Sequence, residues 1–141
     1  LRTKNYPGRE HDDRIEIARL LTGAGPAMTD AGNAALNGTA DDVHAFLDNG
    51  QYVAAEHDNR IRVSQVLSSG GPEVKSAAQI ALSGPPAFLK HFLNFGLPQA
   101  QKRDQATTAH IATVNRYVAE AAQSAAIATQ DAFEAAQSAA L

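Results

Sequence analysis

Residues 57–96 read HDNRIRVSQVLSSGGPEVKSAAQIALSGPPAFLKHFLNFG, and residues 11–50 read HDDRIEIARLLTGAGPAMTDAGNAALNGTADDVHAFLDNG. Set 46 residues apart, the two stretches align without a gap. His11-Asp12 falls on His57-Asp58, Arg14-Ile15 on Arg60-Ile61, and Gly25-Pro26 on Gly71-Pro72. Ala35-Leu36 falls on Ala81-Leu82, Phe46-Leu47 on Phe92-Leu93, and Gly38 and Gly50 on Gly84 and Gly96. The coinciding glycines and prolines weigh most, because they punctuate the backbone. A fixed period of this length is the signature of stacked repeats. Tyr6 and Glu10 also fall on Tyr52 and Glu56, so residues 1–10 read as the end of a preceding copy. Residues 11–56 and 57–102 are then two successive repeats.

Each copy predicts three helices. The first carries Ile15, Ile17, Leu20 and Leu21, or Ile61, Val63, Val66 and Leu67. Gly25-Pro26 and Gly71-Pro72 open the second, with proline where its missing N–H costs nothing. Gly38 and Gly84 suit a left-handed cap at its end. Thr39 followed by Asp42 resembles a capping box for the third helix, a start that Pro85-Pro86 supplies in the second copy. Phe46-Leu47 and Phe92-Leu93 anchor that helix, and Gly50 or Gly96 is expected to end it. Such short helices bury too little alone and must stack on their neighbours. The expected fold is all-α, an α-solenoid.

From Pro98 the third copy's pattern fails, and Ala106 stands where Arg14 and Arg60 stood. Apolar residues now fall at Ile111, Val114, Val118, Ala121, Ala125, Ala128, Ala132, Ala135 and Ala139, in steps of three and four. That is a heptad seam, which implies a left-handed coiled coil. Glu120-Ala121-Ala122-Gln123-Ser124-Ala125-Ala126 recurs two heptads later, from Glu134 to Ala140. Neither glycine nor proline interrupts the stretch after Pro98, and alanine is the best helix former. Residues 103–141 therefore read as the start of an Ala-rich stalk, on a continuous helix from about residue 98. At 1.5 Å per residue it would extend about 66 Å. Its partner would be a second helix, from the same chain beyond this segment or from another molecule.

Composition narrows the function. The chain has 141 residues, 12 Lys plus Arg against 15 Asp plus Glu, and no cysteine. The small acidic excess argues against a protein that tracks nucleic-acid phosphates. The absence of cysteine removes disulfides, thiolate zinc sites and cysteine nucleophiles. No apolar run reaches the length of a membrane span. The opening on Leu1 and the end at Leu141 inside a helical pattern lead us to expect a segment of a longer protein. His11 and His57 precede acidic residues, but as equivalent positions in successive repeats they should lie apart rather than converge on a metal. No nucleophile motif or phosphate loop is present. The expectation is no enzyme, no cofactor and no metal.

The stretch NGTADDVHAFLDNGQYVAAEHDNRIRVSQVLSSGGPEVKSAAQIALSGPPAFLKHFLNFG, residues 37–96, resembles the ALF repeats of secreted actinobacterial proteins. The most specific elements are the Asp-Xaa-Arg-Ile start, the Gly-Gly-Pro-Glu-Val turn and the Ala-Leu-Xaa-Gly exit into the Phe-Leu helix. The resemblance covers residues 11–102, with the Ala-rich tail as a frequent neighbour. It implies a secreted, extracellular protein, similar to the scaffold subunits of umbrella toxin particles. There the repeats form a crown that docks small adaptor proteins, and a coiled-coil stalk leads toward a toxin domain. The alternative is a generic secreted peptide- or protein-binding module attached to an unrelated hydrolase. For adaptor docking, the recurring charged start and the groove between copies point to Asp58, Arg60 and Arg62, with Tyr52 as an aromatic anchor.

Overall fold

The computed structural model describes residues 6–140, and every regular element among them is helical. Of the expected preceding copy, residues 1–5 lie outside the described residues. The elements are α1 (Arg9–Leu20), α2 (Pro26–Asn37), α3 (Ala40–Ala45), α4 (Gln51–Ser69), α5 (Pro72–Ser83), α6 (Pro86–His91) and α7 (Leu97–Ala140). Two π-helical turns, Phe46–Gly50 and Phe92–Gly96, join α3 to α4 and α6 to α7. From the start of α2 to the end of the first π turn, each boundary recurs 46 residues later in the second copy.

The local chemistry of the starts is as the sequence predicts. Gly25 and Gly71 are extended, and Pro26 and Pro72 take the first helical position. Thr39 and Asp42 form a complete capping box. The Asp42 carboxylate accepts the Thr39 backbone N–H at 2.7 Å and its hydroxyl at 2.9 Å. These bonds favour the charged form and hold the Asp42 carboxyl below its ordinary value. The stabilisation is thus complete above the ordinary carboxylate pKa and is lost as pH falls through the depressed one. Asp42→Asn is expected to flatten the acid limb of a stability–pH curve while leaving the alkaline limb unchanged. Equal slopes in both proteins between about pH 5 and 2 would refute this.

Two expectations about glycine are corrected. Gly38 and Gly84 close α2 and α5 in extended conformations, with φ −94° and −98°, and not in the left-handed region. Gly50 and Gly96 do not end the third helix. Gly50 has helical angles, φ −56° and ψ −37°, and the chain passes through the π turn into the next helix. The reason lies in the aromatic ring one turn earlier. A Cβ on Gly50 would stand 3.3 Å from Phe46 Cδ2, and one on Gly96 3.1 Å from Phe92 Cδ2. Glycine there lets the ring lie against the backbone. The extra residue of the π turn re-phases the helix, so Phe46 and Leu47 are both buried although adjacent.

Each repeat has its own core. Ile17, Ala35, Val43, Phe46 and Leu47 form the first, with Leu20, Leu21 and Met28 packed around it. Val63, Ala78, Ala81, Leu89 and Phe92 form the second, flanked by Val66, Leu67 and Leu97. The short helix α2 packs against α1 and α4, and α5 against α4 and α7. The copies differ at the first turn. Gly23, at φ 71°, helps end α1 at Leu20, whereas α4 runs on to Ser69. The long helix α7 continues from α6 without interruption, so one helical path leads from Pro86 in the second core to Ala140. Beyond Asp104 its residues are exposed along its whole length.

Candidate functional site

The recurring Asp-Xaa-Arg start proves to be a two-way clamp. Both oxygens of Asp58 accept backbone N–H groups at the start of α2, from Ala27 at 2.8 Å and Met28 at 2.9 Å. Asp104 repeats the arrangement on α5, accepting from Glu73 at 2.9 Å and Val74 at 3.1 Å. A carboxylate facing the unpaired N–H groups of a helix start satisfies them and meets the positive end of the dipole. A Cβ on Gly25 or Gly71 would collide with the Asp58 or Asp104 carboxylate. The glycine of each Gly-Pro pair therefore makes room for an aspartate from the following helix.

The arginine works at the other end of the same short helix. Arg14 donates to the Leu36 carbonyl at 2.6 Å and to that of Gly38 at 3.3 Å. Arg60 donates to the Leu82 carbonyl at 3.3 Å. Each guanidinium is braced by an acid one turn earlier, Glu10 at 3.1 Å or Glu56 at 3.2 Å. The second helix of a repeat is thus held at its C-terminus by its own arginine and at its N-terminus by the next repeat's aspartate. The third copy's pattern persists further than expected. Ala100 is buried where Ala54 is buried, Asp104 acts as Asp58 does, and Arg103 pairs with Glu73 at 2.9 Å. Asp104 was legible in the sequence, since it stands one period after Asp58.

The four docking candidates separate on this scaffold. Asp58 is buried and engaged in the clamp, and Arg60 is half-buried and engaged at the end of α5. Asp58 and Arg62 share one groove of about 570 Å³ between the α1–α2 turn and α4, lined also by Thr22, Pro26 and Gln65. Arg60 faces a different depression, with His57, Ser64 and Ser68. Tyr52 lines neither and is 65% exposed. Arg62 and Tyr52 are the two with surfaces free for a partner.

A second surface escaped the sequence reading. Ile80, Phe88 and Phe95 are exposed on the second repeat, and His91 packs against Phe95 with ring centroids 5.3 Å apart and planes tilted by 40°. Ile80 and Phe88 border two adjoining depressions of about 560 and 290 Å³. The equivalent positions in the first repeat are Ala34, Asp42, Ala45 and Asn49. The repeat fold therefore does not require the apolar side chains. The signal was present as the difference between aligned copies, which an eye searching for identities passes over.

The stalk seam is uncovered among the described residues. Ile111 is 53% exposed, Val118 is 62% exposed, and Val114 and the seam alanines 121, 125, 128, 132, 135 and 139 are also exposed. The histidines do not converge. His44 Nε2 lies 3.3 Å from Asp13 Oδ2, which also faces Arg9 Nε at 3.5 Å, so this carboxylate links α1 to α3. His11, His57 and His110 are exposed on separate helices. Among the described residues no group of three or more His, Asp or Glu could hold a metal ion, and no helix is long and apolar enough to cross a membrane.

Comparison with known proteins agrees with the period. The ALF family, described as short repeats of unknown function, matches residues 14–54 and 60–100. No curated protein matches the chain.

Proposed function

The chain belongs to the ALF family of short repeats, and from that premise we propose that it is a non-catalytic scaffold segment of a secreted antibacterial toxin particle. In this reading the repeats are part of a crown that docks small secreted adaptor proteins. The stalk projects toward a toxin domain outside these 141 residues. The protein works outside the cell, without cofactor, metal or nucleic acid.

The observation that carries this reading is the single helical path from Pro86 to Ala140. Its first turns bear Phe88 and Phe95 on the repeat surface, and its last turns bear the open alanine seam. A load at one end is mechanically tied to a partner at the other, as a scaffold demands and a detachable binding module does not. Alanine at the seam lets a second helix approach closely, but each alanine buries little, about 0.8 kcal/mol per methylene equivalent. The seam therefore needs its full length, or a partner tethered in the same chain.

Two measurements test the two ends. The immobilised chain, exposed to the producing organism's culture supernatant, is expected to retain a small secreted protein. Its affinity should fall about thirtyfold for Ile80→Asp with Phe95→Asp, equivalent to about 2 kcal/mol for a lost hot spot. In the same assay Arg62→Glu marks the groove, and Tyr52→Ala marks the exposed face of α4 outside it. Retention of no such protein, or unchanged affinity in all these folded variants, removes adaptor docking. At the stalk, light scattering is expected to show self-association of the chain. Val118→Asp with Ala125→Asp should abolish it while the repeats keep their circular dichroism. A wild-type chain that stays monomeric at high concentration with its tail unfolded would sink the stalk assignment.

A further inference from the structure

The two copies share a fold but carry opposite charge. Residues 26–57 hold Asp30, Asp41, Asp42, Asp48 and Glu56 with no lysine or arginine, a formal −5. The matched residues 72–103 hold Lys75, Lys90, Lys102 and Arg103 against Glu73, a formal +3. Arg103 is paired with Glu73 at 2.9 Å, whereas the three lysines have no carboxylate partner among the described residues. All three are exposed, and they stand around the apolar patch of the second repeat. Lys75 lies one turn before Gln79, which lines the larger depression with Ile80 and Phe88. Lys90 adjoins His91, which lines the smaller depression and packs against Phe95. Lys102 follows Phe95 by about two helical turns. At the positions of the three lysines the first repeat has Thr29, His44 and Glu56. The same backbone therefore folds without the lysines, just as it folds without the apolar side chains.

We infer that this face of the second repeat docks an acidic protein segment, which sets apolar side chains in the two depressions and carboxylates against Lys75, Lys90 and Lys102. The inference rests on the docking reading above for the place of the patch and adds the partner's chemistry. An exposed apolar patch rimmed by polar groups is the usual form of an interaction surface. The two depressions meet at Ile80 and Phe88, so neighbouring side chains of one segment can fill both. Unpaired positive charges around them steer acidic segments in and repel basic ones. A second copy of the chain fits less well. Its first repeat offers Asp48, Tyr52 and Glu56 at one-turn spacing, but Glu56 is held by Arg60 and Tyr52 is a single anchor for two depressions.

The probe is a phage-displayed library of random twelve-residue peptides selected on the whole 141-residue chain. Enriched peptides are expected to combine aromatic or aliphatic residues with an excess of Asp and Glu. A synthetic peptide of the enriched sequence should bind about thirtyfold more weakly to Phe88→Ser with Phe95→Ser. Lys75→Gln with Lys90→Gln should weaken it about tenfold and remove most of its salt dependence. These side chains are exposed, and circular dichroism is expected to show both variants folded. The inference is overturned if nothing is enriched, if the enriched peptides are neutral or basic, or if the folded lysine variant binds as the wild type does. Self-association that survives Val118→Asp with Ala125→Asp and is abolished by Lys90→Glu would also overturn it, by giving the surface to a second copy. Acidic peptides that bind here when the culture supernatant yields no adaptor would sink the adaptor reading and leave this one standing. An adaptor held through Arg62 or Tyr52, with no acidic peptide bound at Phe88, would do the reverse.

Discussion

Phe46→Ala and Phe92→Ala are each expected to destabilise the chain by about 3–5 kcal/mol, the range for emptying a buried aromatic site. Both rings are almost fully buried, and each lies against the bare backbone of a glycine one turn later. Deleting the ring leaves a cavity under a π turn whose register the ring itself supports. The neighbours that could collapse into it, Leu47 or Leu89, are already packed in the same core. Urea denaturation followed by circular dichroism at 222 nm reads the cost, and the two cores should report it separately if the repeats unfold in steps. A cost below about 1 kcal/mol in both variants would mean that these rings are not the anchors of their repeats.

Asp58→Ala should be the most damaging polar substitution, at about 2–3 kcal/mol, because it orphans two N–H groups and removes a helix cap together. The effect should appear across the repeat boundary. Exchange of the Ala27 and Met28 amides, thirty residues away in sequence, should accelerate, while the α5 start held by Asp104 stays protected. Asp104→Ala should cost less, since Asp104 is more exposed and its bonds are longer. Gly25→Ala offers an independent check, because its methyl would displace the same carboxylate from the opposite side. If Asp58→Ala destabilises no more than Asp104→Ala and leaves Ala27 and Met28 protected, the aspartate is not what joins the repeats.

The clamp changes the meaning of the docking candidates drawn from the charged start. Asp58 and Arg60 recur because every repeat must hold a short helix at both ends. In this fold that requirement is sufficient to explain them. Substituting Arg60 would therefore expose the Leu82 carbonyl before it informed on any partner. Surfaces that differ between the copies are the better guide to recognition, and Ile80, Phe88 and Phe95 are such a set.

The sequence by itself determined whatever depends on neighbours close along the chain. The Gly-Pro helix starts, the Thr39–Asp42 capping box and the long alanine helix all follow from contacts within about four residues, and the period from setting the sequence against itself. They are therefore visible as spacing. Two features depended on groups brought together only by folding. Gly50 and Gly96 looked like helix ends because glycine is a poor helix former. What decided otherwise was burial of the Phe46 and Phe92 rings against them, which returns more than the glycines cost and keeps the helix running through a π turn. From the sequence Asp58 was a docking candidate beside Arg60 and Arg62. Its carboxylate is buried instead, because α2, thirty residues earlier, presents two N–H groups that have no partner within their own helix and that Asp58 satisfies.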